Sequence, residues 1–513
     1  MHCRLSLSSL TLQSRAILPG RKPDSGESGY RPAAIVWTRN ESLMLTSALA
    51  ENTRPWRSAI VYLLMLVGTV IGFLVVRQFG ETLQTSIALP AAAGPQVGVA
   101  HRNEALLHVL LALVAVIITG RLLGQGFRYL GQPPVIGEVI AGILLGPSLL
   151  GQISPEFANY LLPQSVAPTL GVIAQLGVIL YMFVVGLELD PESLRERGHA
   201  TIAISHASIV APFLLGSILA LFLYPRLAEP HVPFTVFALF LGAAMSVTAF
   251  PVLARILTDR GISRTPLGVV ALTCAATDDA TAWCLLAFVV GVAQAKVQAS
   301  FLVLVWTAAY IAAMFLVCRP LLRRWVNSLG DKPTTPGVMA VVFVGLLASA
   351  LITEAIGIHA IFGAFALGAI FPHDSPLAKD LIRKLEDTVT VLLLPAFFAF
   401  TGMRTQIGLV SGMENWMWCG LIIAVATIGK FGGTLVAARL TGLNWREASS
   451  LGILMNTRGL MELIVLNIGL DLQIISPTVF AMMVIMAVVT TIATTPIFQL
   501  INRVTTTDPA PRI

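Results

Sequence analysis

Long apolar runs, separated by short polar segments, are the main feature of this chain. Between residues 105 and 502 most runs are close to the roughly 20 residues that an α-helix needs to cross a bilayer. The pattern predicts thirteen spans, at 105–124, 134–151, 169–187, 199–224, 233–257, 266–292, 299–322, 336–354, 357–372, 388–410, 417–440, 447–470 and 475–501. We therefore expect an all-α polytopic membrane protein whose transmembrane domain covers 105–502.

The two ends of the chain follow a different pattern. Residues 1–57 are polar and lack a helical period, as in a disordered leader or in a sequence whose true start is Met44. The segment 58–104 opens with the apolar run 58–76, which predicts an extra N-terminal helix or a signal sequence, and it continues as a polar link. The run exceeds the apolar part of a typical signal, about 7–15 residues, and this favours a helix. Residues 503–513 are predicted to form a short cytoplasmic tail.

Composition supports the membrane assignment and limits the classes of function. Charged residues make up 12% of the chain, against about 25% in a soluble domain. Lys and Arg concentrate in the loops of one side, which places the loop 319–332 in the cytoplasm and the loop 152–168 outside. The net charge of +6 therefore reflects topology, so the expected partner is the lipid bilayer and no nucleic acid. Nucleotide-binding loops, zinc-protease motifs and nucleophile–base signatures are missing from the sequence, so we predict neither an enzyme nor a cofactor.

Weak internal repeats suggest how the spans are arranged. Three pairs of similar motifs recur seven spans apart: AGILLGP (141–147) with GAFALGA (363–369), FVVGLELD (183–190) with AFTGMRTQ (399–406), and SVTAFPVL (246–253) with MNTRGLME (455–462). Because seven is odd, the second copy of each motif crosses the membrane in the opposite direction. Inverted repeats of this kind are typical of secondary transporters.

Polar residues and helix breakers occupy matching positions in the fifth and twelfth spans. They are Ser246, Thr248 and Pro251 in the fifth, and Asn456, Thr457, Arg458 and Glu462 in the twelfth. The pattern predicts two interrupted helices that cross near a binding site and direct their ends towards it. The alternative is an ordinary proline kink with satisfied hydroxyl groups. The i, i+4 spacing of Arg458 and Glu462 favours mutual neutralisation, and hence a structural role for that pair.

Two adjacent carboxylates, Asp278 and Asp279, lie inside the apolar sixth span. Each charge at the centre of such a span costs about 2.5–3.5 kcal/mol, so we interpret the pair as an ion or proton site. Lys430 in the eleventh span is the expected charge partner of one of them, either as part of the mechanism or as a purely structural salt bridge. Neighbouring helical residues point about 100° apart, which leaves the other carboxylate, with Thr277, to bind Na⁺, K⁺ or H⁺ transiently.

The motifs together resemble the monovalent cation/proton antiporter-2 family, over about residues 105–502. They are QPPVIGEVIAGILLGPSLLG (132–151), FVVGLELD (183–190), SVTAFPVLARIL (246–257), ATDDATAW (276–283), GIHAIFGAFALGAIFP (357–372), LPAFFAFTGMRTQIG (394–408), GKFGG (429–433) and MNTRGLMELIVLNIGL (455–470). The resemblance implies thirteen helices, a homodimer and an elevator motion of a core domain. It implies that Asp279 is the essential aspartate that carries the ion or the proton. It further implies that Asp278 is the variable neighbour and Lys430 the lysine that pairs with it.

These features predict a transporter that exchanges a monovalent cation for protons, with Na⁺ favoured over K⁺. The expected location is the plasma or inner membrane of a bacterium, as a multi-pass protein. Two alternatives stay open: a sodium-coupled symporter of an organic anion, and a gated cation channel or membrane sensor without turnover. The symporter does not need a buried lysine beside a carboxylate pair, so Lys430 argues against it. We further expect the ion pair of Lys430 with Asp278 to open and close during transport.

Overall fold

The computed structural model describes residues 55–83, 102–188, 198–263, 265–294, 300–330 and 334–503. The predicted leader before Pro55, most of the polar link and the tail after Arg503 lie outside this part of the chain. The described residues form twenty α-helices: α1 (Pro55–Gly80), α2 (Arg102–Tyr129), α3 (Pro134–Leu145), α4 (Leu150–Ile153), α5 (Pro155–Leu161), α6 (Ala167–Glu188), α7 (Gly198–Leu227), α8 (Phe234–Ser246), α9 (Phe250–Asp259), α10 (Pro266–Gln294), α11 (Ser300–Ala313), α12 (Arg319–Leu329), α13 (Pro336–Ile356), α14 (Ala360–Ile370), α15 (Pro376–Thr388), α16 (Leu394–Arg404), α17 (Gly412–Leu440), α18 (Trp445–Met455), α19 (Leu460–Asp471) and α20 (Pro477–Arg503).

The prediction of a polytopic all-α protein is confirmed. Twelve helical segments of the described chain are long and apolar enough to cross a membrane, and α18 with α19 forms one further span that bends by 44°. With the short apolar helix α14, these segments match the extra N-terminal run and the thirteen predicted spans one to one. The chain is therefore a multi-pass integral membrane protein.

Two helices, α12 and α15, extend beyond the predicted spans. Each carries charged residues on one face and apolar residues on the other, as in α15, where Leu377, Leu381 and Leu385 are buried. When hydropathy is averaged along the chain, the polar residues of such a helix offset its apolar residues. The mean hydropathy is then too low for an amphipathic helix to be predicted as a membrane span. Short π-helical turns, Met314–Cys318 and Val389–Leu393, join α11 to α12 and α15 to α16.

The helices pack as two groups. The first, which we call the site group, consists of α7 to α10 and α17 to α20; the second group consists of α2, α3, α6 and α11 to α16. Polar contacts between the groups include an ion pair of Arg404 with Asp471 (2.5 Å) and a hydrogen bond from Gln132 Nε2 to the Ile492 carbonyl (3.0 Å). Helix α1 packs beside the site group, where the rings of Phe73 and Phe213 lie 5.9 Å apart. Its retention as a membrane helix rather than a signal stays a prediction.

Two pairs of glycines show the inverted repeat in the packing of the second group. The motif pairs equate Gly146 with Gly368 and Gly186 with Gly402. A Cβ on Gly146 would lie 2.3 Å from the carbonyl oxygen of Gly402, and a Cβ on Gly186 would lie 2.9 Å from the Cα of Gly368. The contact of α3 with α16 therefore recurs, with the partners exchanged, as the contact of α14 with α6. This exchange is what two copies related by a pseudo-twofold axis require.

Candidate ion-binding site

Two interrupted helices meet inside the site group. Helix α8 ends at Ser246 and α9 begins at Phe250, while α18 ends at Met455 and α19 begins at Leu460. The extended segments between the half-helices are buried, and the backbone N–H of Ala249 donates to the carbonyl of Thr457 at 3.0 Å. The two breaks therefore lie against each other, as the sequence predicted for a pair of crossing helices.

Two positively charged side chains, those of Arg458 and Lys430, lie at the carboxyl end of α8. The last carbonyls of a helix have no partner within it and carry a partial negative charge. Arg458 donates to the carbonyls of Ala244 (3.3 Å) and Met245 (2.7 Å), and Lys430 Nζ donates to the carbonyl of Ser246 (2.6 Å). Both charged side chains are fully buried. The carbonyl groups at the end of α8 therefore replace part of the water that would otherwise surround these charges.

Asp278 lies within a cage of four donors. Its Oδ1 accepts from Ser205 Oγ at 2.6 Å, and its Oδ2 accepts from Ser208 Oγ at 2.5 Å, from Thr248 Oγ1 at 2.9 Å and from Lys430 Nζ at 2.9 Å. The carboxylate has no exposed surface. Each of these donors replaces a water molecule that the carboxylate loses on burial.

Asp279 has the opposite environment. The residue is only 3% exposed, and both of its carboxylate oxygens are buried without a hydrogen-bond partner among the described residues. The main-chain N–H of Phe250 lies near this carboxylate but outside hydrogen-bonding geometry. Phe250 is the first residue of α9, so the positive end of a half-helix faces the carboxylate.

A count of charges separates the two aspartates further. Lys430 pairs with Asp278 at 2.9 Å, and Arg458 pairs with Glu462 at 2.8 Å. Asp279 is the third carboxylate of the cluster and has no ion-pair partner within the described chain. An isolated ion is costly in a low-dielectric interior, so such a carboxylate takes up a proton or a cation.

Two other residues predicted for the site, Ser246 and Thr277, bond to main-chain carbonyls with their hydroxyl groups. The hydroxyl of Ser246 donates to the carbonyls of Ile209 (3.0 Å) and Gly242 (2.8 Å), so Ser246 meets Lys430 with its main chain and not with its side chain. Thr277 Oγ1 donates to the carbonyl one turn earlier in its own helix (2.8 Å), and the structure does not bring it to either carboxylate.

The second break contains two buried polar atoms without a partner among the described residues, Asn456 Oδ1 and Arg458 Nε. Thr457 Oγ1 bonds to the carbonyl of Leu454 at 2.7 Å, whereas Asn456 Oδ1 is buried and unpaired among the described residues. Pro251 is the second residue of α9, where the missing N–H of proline removes no helical hydrogen bond. Its position explains why the helix restarts cleanly after the break.

Sequence reasoning missed Ser205 and Ser208. The signal was present as a stripe of small polar residues, Thr201, Ser205 and Ser208, whose i, i+4, i+7 spacing puts them on one face of α7. Serine is common in membrane helices, so the stripe alone does not identify a carboxylate partner. Across the described residues, no cluster of three or more His, Cys, Asp or Glu side chains is placed to hold a metal ion.

Comparison with known proteins matches this chain to antiporters. The family model described as "Sodium/hydrogen exchanger, transmembrane" matches residues 109–501. The Na(+)/H(+) antiporter NhaS4 of Synechocystis is 45% identical over 398 residues, which are 77% of this chain and 97% of that protein. Cation/H(+) antiporter 18 of Arabidopsis thaliana (39% identical, 77% of this chain) and K(+)/H(+) antiporter 1 of Saccharomyces cerevisiae (34%, 75%) also match, but the aligned region spans only 49% and 45% of those longer relatives.

A solved structure supports the fold. The sodium proton antiporter MjNhaP1 of Methanocaldococcus jannaschii, at pH 8, superposes with a TM-score of 0.59, covers 78% of this chain and 99% of its own, and is 14% identical. At that identity the likeness concerns the fold alone. The family match, by contrast, covers more than half of the sequence and includes both interrupted helices and the carboxylate pair. The chain belongs to the sodium/hydrogen exchanger family.

Proposed function

We propose that this protein exchanges a monovalent cation for protons across the membrane, and that Asp279 is the group that binds each in turn. The observation that carries the proposal is the contrast within the aspartate pair. Asp278 is fully satisfied by four donors, while Asp279 is buried with no partner among the described residues. A single carboxylate that must be neutralised, and that admits either a proton or a cation but not both, couples the two fluxes.

The surroundings of Asp279 suit a small cation. A carboxylate is a hard oxygen ligand, and the two helix breaks beside it supply main-chain carbonyls that are not committed to a full helical ladder. Sodium is favoured over potassium, and the relatives include antiporters named for Na⁺ and for K⁺. In our proposal the ion is substrate and stays at the site only until the site opens to the other side.

Alternating access is proposed to be an elevator motion of the site group against the second group. All of the charged residues of the site lie on α8 to α10 or α17 to α19, within the site group. The group can therefore move as a body without disturbing the cage of Asp278. We further propose that residues 105–502 form the transport domain, that two copies associate as a homodimer, and that the protein resides in a bacterial plasma or inner membrane.

The test is cation-dependent proton movement in proteoliposomes that contain a pH-sensitive dye. We expect addition of Na⁺, K⁺ or Li⁺ to dequench the dye with saturation in the cation, and the ranking of the three to give the selectivity. Asp279→Asn keeps the shape of the side chain and removes its titratable charge, so exchange should fall at least about 100-fold, as for loss of an acid–base group. Asp387→Asn is the matched control, because Asp387 is an exposed aspartate on α15.

Three results bear on the assignment. Wild-type exchange by folded Asp279→Asn would show that the carrier is wrongly identified. Cation currents that do not saturate and do not need a pH gradient would indicate the channel alternative. Cation uptake that depends on an added organic anion, without proton movement, would indicate the symporter.

A further inference from the structure

Four polar side chains join the ends of α16 and α19 that lie on the predicted external side. Arg404 on α16 pairs with Asp471 on α19 at 2.5 Å, and its Nη1 donates to Asn467 Oδ1 at 3.3 Å. The Nδ2 of Asn467 in turn donates to Thr401 Oγ1 at 2.9 Å. Helix α16 belongs to the second group and α19 to the site group, so these contacts cross the surface along which the proposed elevator motion takes place.

The amide of Asn467 has partners on both of its polar atoms. The residue is only 5% exposed, and its Oδ1 accepts from the guanidinium group of Arg404. Its Nδ2 donates to the buried Thr401 and to the carbonyl of Leu463, each at 2.9 Å. The guanidinium group also lies 4.4 Å from the centre of the Phe400 ring. Separating these groups is costly, because a buried amide would lose the partners that replace water.

We propose that Thr401, Arg404, Asn467 and Asp471 form a latch, which closes the external side of the ion site in this conformation and has to open in each transport cycle. The inference rests on the proposed function and adds to it the contacts that hold one of the two end conformations. The alternative reading of the same contacts is a fixed joint between two helices that never separate.

The latch is connected to the interrupted helices by a continuous half-helix. Helix α19 begins at Leu460, directly after the break, and runs to Asp471 without interruption. Asn467 therefore lies about 10 Å along the axis from the start of that half-helix. Beside Leu463 and Arg458, a cavity between α3 and α19 has a volume of about 20 Å³, enough for about one water molecule. A hydrated cation needs more room, so α19 has to separate from the second group to admit a cation from this side.

A polar contact near the opposite ends of the two groups is of a weaker kind. Gln132, in the turn between α2 and α3 on the predicted cytoplasmic side, donates to the carbonyl of Ile492 at 3.0 Å. Both of these groups are neutral, whereas hydrogen bonds that involve a charged group are roughly twice as strong. Loss of the latch should therefore shift the protein towards the conformation that is open to the outside.

Cross-linking tests whether the latch opens. In a background without the native cysteines, Arg404→Cys with Asp471→Cys is treated with a short, cleavable bifunctional thiol reagent, and exchange is measured in proteoliposomes. The cross-link should stop exchange, and its cleavage should restore it. The matched control is Arg226→Cys with Glu414→Cys, an ion pair of 3.6 Å whose partners, on α7 and α17, both belong to the site group. The same cross-link there should leave exchange unchanged.

Kinetics in vesicles of uniform protein orientation give a readout that a fixed joint would not change. Arg404→Gln removes the positive charge of the latch, and Asn467→Ala removes its buried amide. Loss of one charge-assisted hydrogen bond should make the externally open conformation about tenfold more populated, so the KM for the cation on the external side should fall by about that factor. The KM on the cytoplasmic side should change much less. Arg404→Asp with Asp471→Arg, which keeps an ion pair in reverse, should return the external KM towards the wild-type value.

Two results would overturn the latch. Undiminished exchange by the cross-linked Arg404→Cys, Asp471→Cys protein would show that α16 and α19 do not separate during transport. Equal changes of KM on the two sides, or a fall of kcat alone, would show that the contacts are a fixed joint. Both results leave cation/proton exchange by the wild type standing, whereas a wild type without any exchange would refute the proposed function itself.

Discussion

Replacing Arg458 with methionine tests whether the cation at the crossing of the interrupted helices holds the fold together. The side chain has no exposed surface and makes three hydrogen bonds, to Glu462 Oε2 at 2.8 Å and to the carbonyls of Ala244 and Met245 at 3.3 and 2.7 Å. Arg458→Met removes all three and leaves Glu462 as a buried charge without its partner. Methionine keeps much of the length and the apolar stem of arginine.

The expected cost follows from these contacts. Breaking a buried ion pair by removing one partner costs about 3–5 kcal/mol of the free energy of unfolding, because an uncompensated charge stays behind. Removing both charged residues, as in Arg458→Met with Glu462→Met, should restore most of that amount, since apolar replacement of a whole buried pair is often neutral. The double variant should still lose about 1–3 kcal/mol, because the two carbonyls at the end of α8 lose their donor.

The assay is a denaturant titration of the purified protein in detergent, followed by tryptophan fluorescence, which the eight tryptophans report. Arg255→Met is the matched control. Arg255 also pairs with an acid at i+4, Asp259, at 3.1 Å, but the two side chains are 53% and 41% exposed. An exposed pair of this kind contributes about 0–1 kcal/mol, so the control should unfold almost as the wild type does.

Two outcomes would refute this reasoning. A loss of less than about 1 kcal/mol in Arg458→Met would mean that the buried pair does not stabilise the crossing. A double variant no more stable than the single one would mean that the isolated carboxylate is not the source of the cost. If the pair is structural, as its spacing suggests, the double variant should also retain cation/proton exchange, and its complete loss in a folded protein would give Arg458 or Glu462 a part in transport.

Further predictions concern packing and topology. Gly402→Ala should destabilise the protein by about 1–3 kcal/mol, because the new Cβ would lie 2.0 Å from a main-chain oxygen of α3. The control Gly420→Ala, whose Cβ would have nothing within 4 Å, should change stability by about 1 kcal/mol or less. Equal thermal stability of the two variants would contradict the close helix contact. Single cysteines at Ser328 and Glu156, both exposed, should react with an impermeant thiol reagent from the cytoplasmic and the external side respectively, in a background without the native cysteines. Labelling of both from one side would overturn the predicted orientation.

The sequence by itself determined the class of fold and singled out the charged residues of the candidate site. A run of about 20 apolar residues has to become a membrane helix, because the bilayer leaves its backbone no other way to satisfy its polar groups. The same reasoning makes Asp278, Asp279 and Lys430 stand out, since each charge within a span is costly. The repeated glycine motifs also indicated the inverted repeat, although they did not show which helices meet.

The tertiary structure decided which contacts each of those residues makes. Hydropathy is a property of one segment, whereas the rotation of each helix about its own axis depends on the neighbours that it packs against. That rotation directs Asp278 towards Lys430, Ser205 and Ser208 and leaves Asp279 without a partner in the described chain, although the two aspartates are adjacent in sequence and alike in chemistry. Hydrogen bonds are short-ranged and directional, so a difference of about 100° around one helix is enough to give one carboxylate four donors and the other none in the described chain.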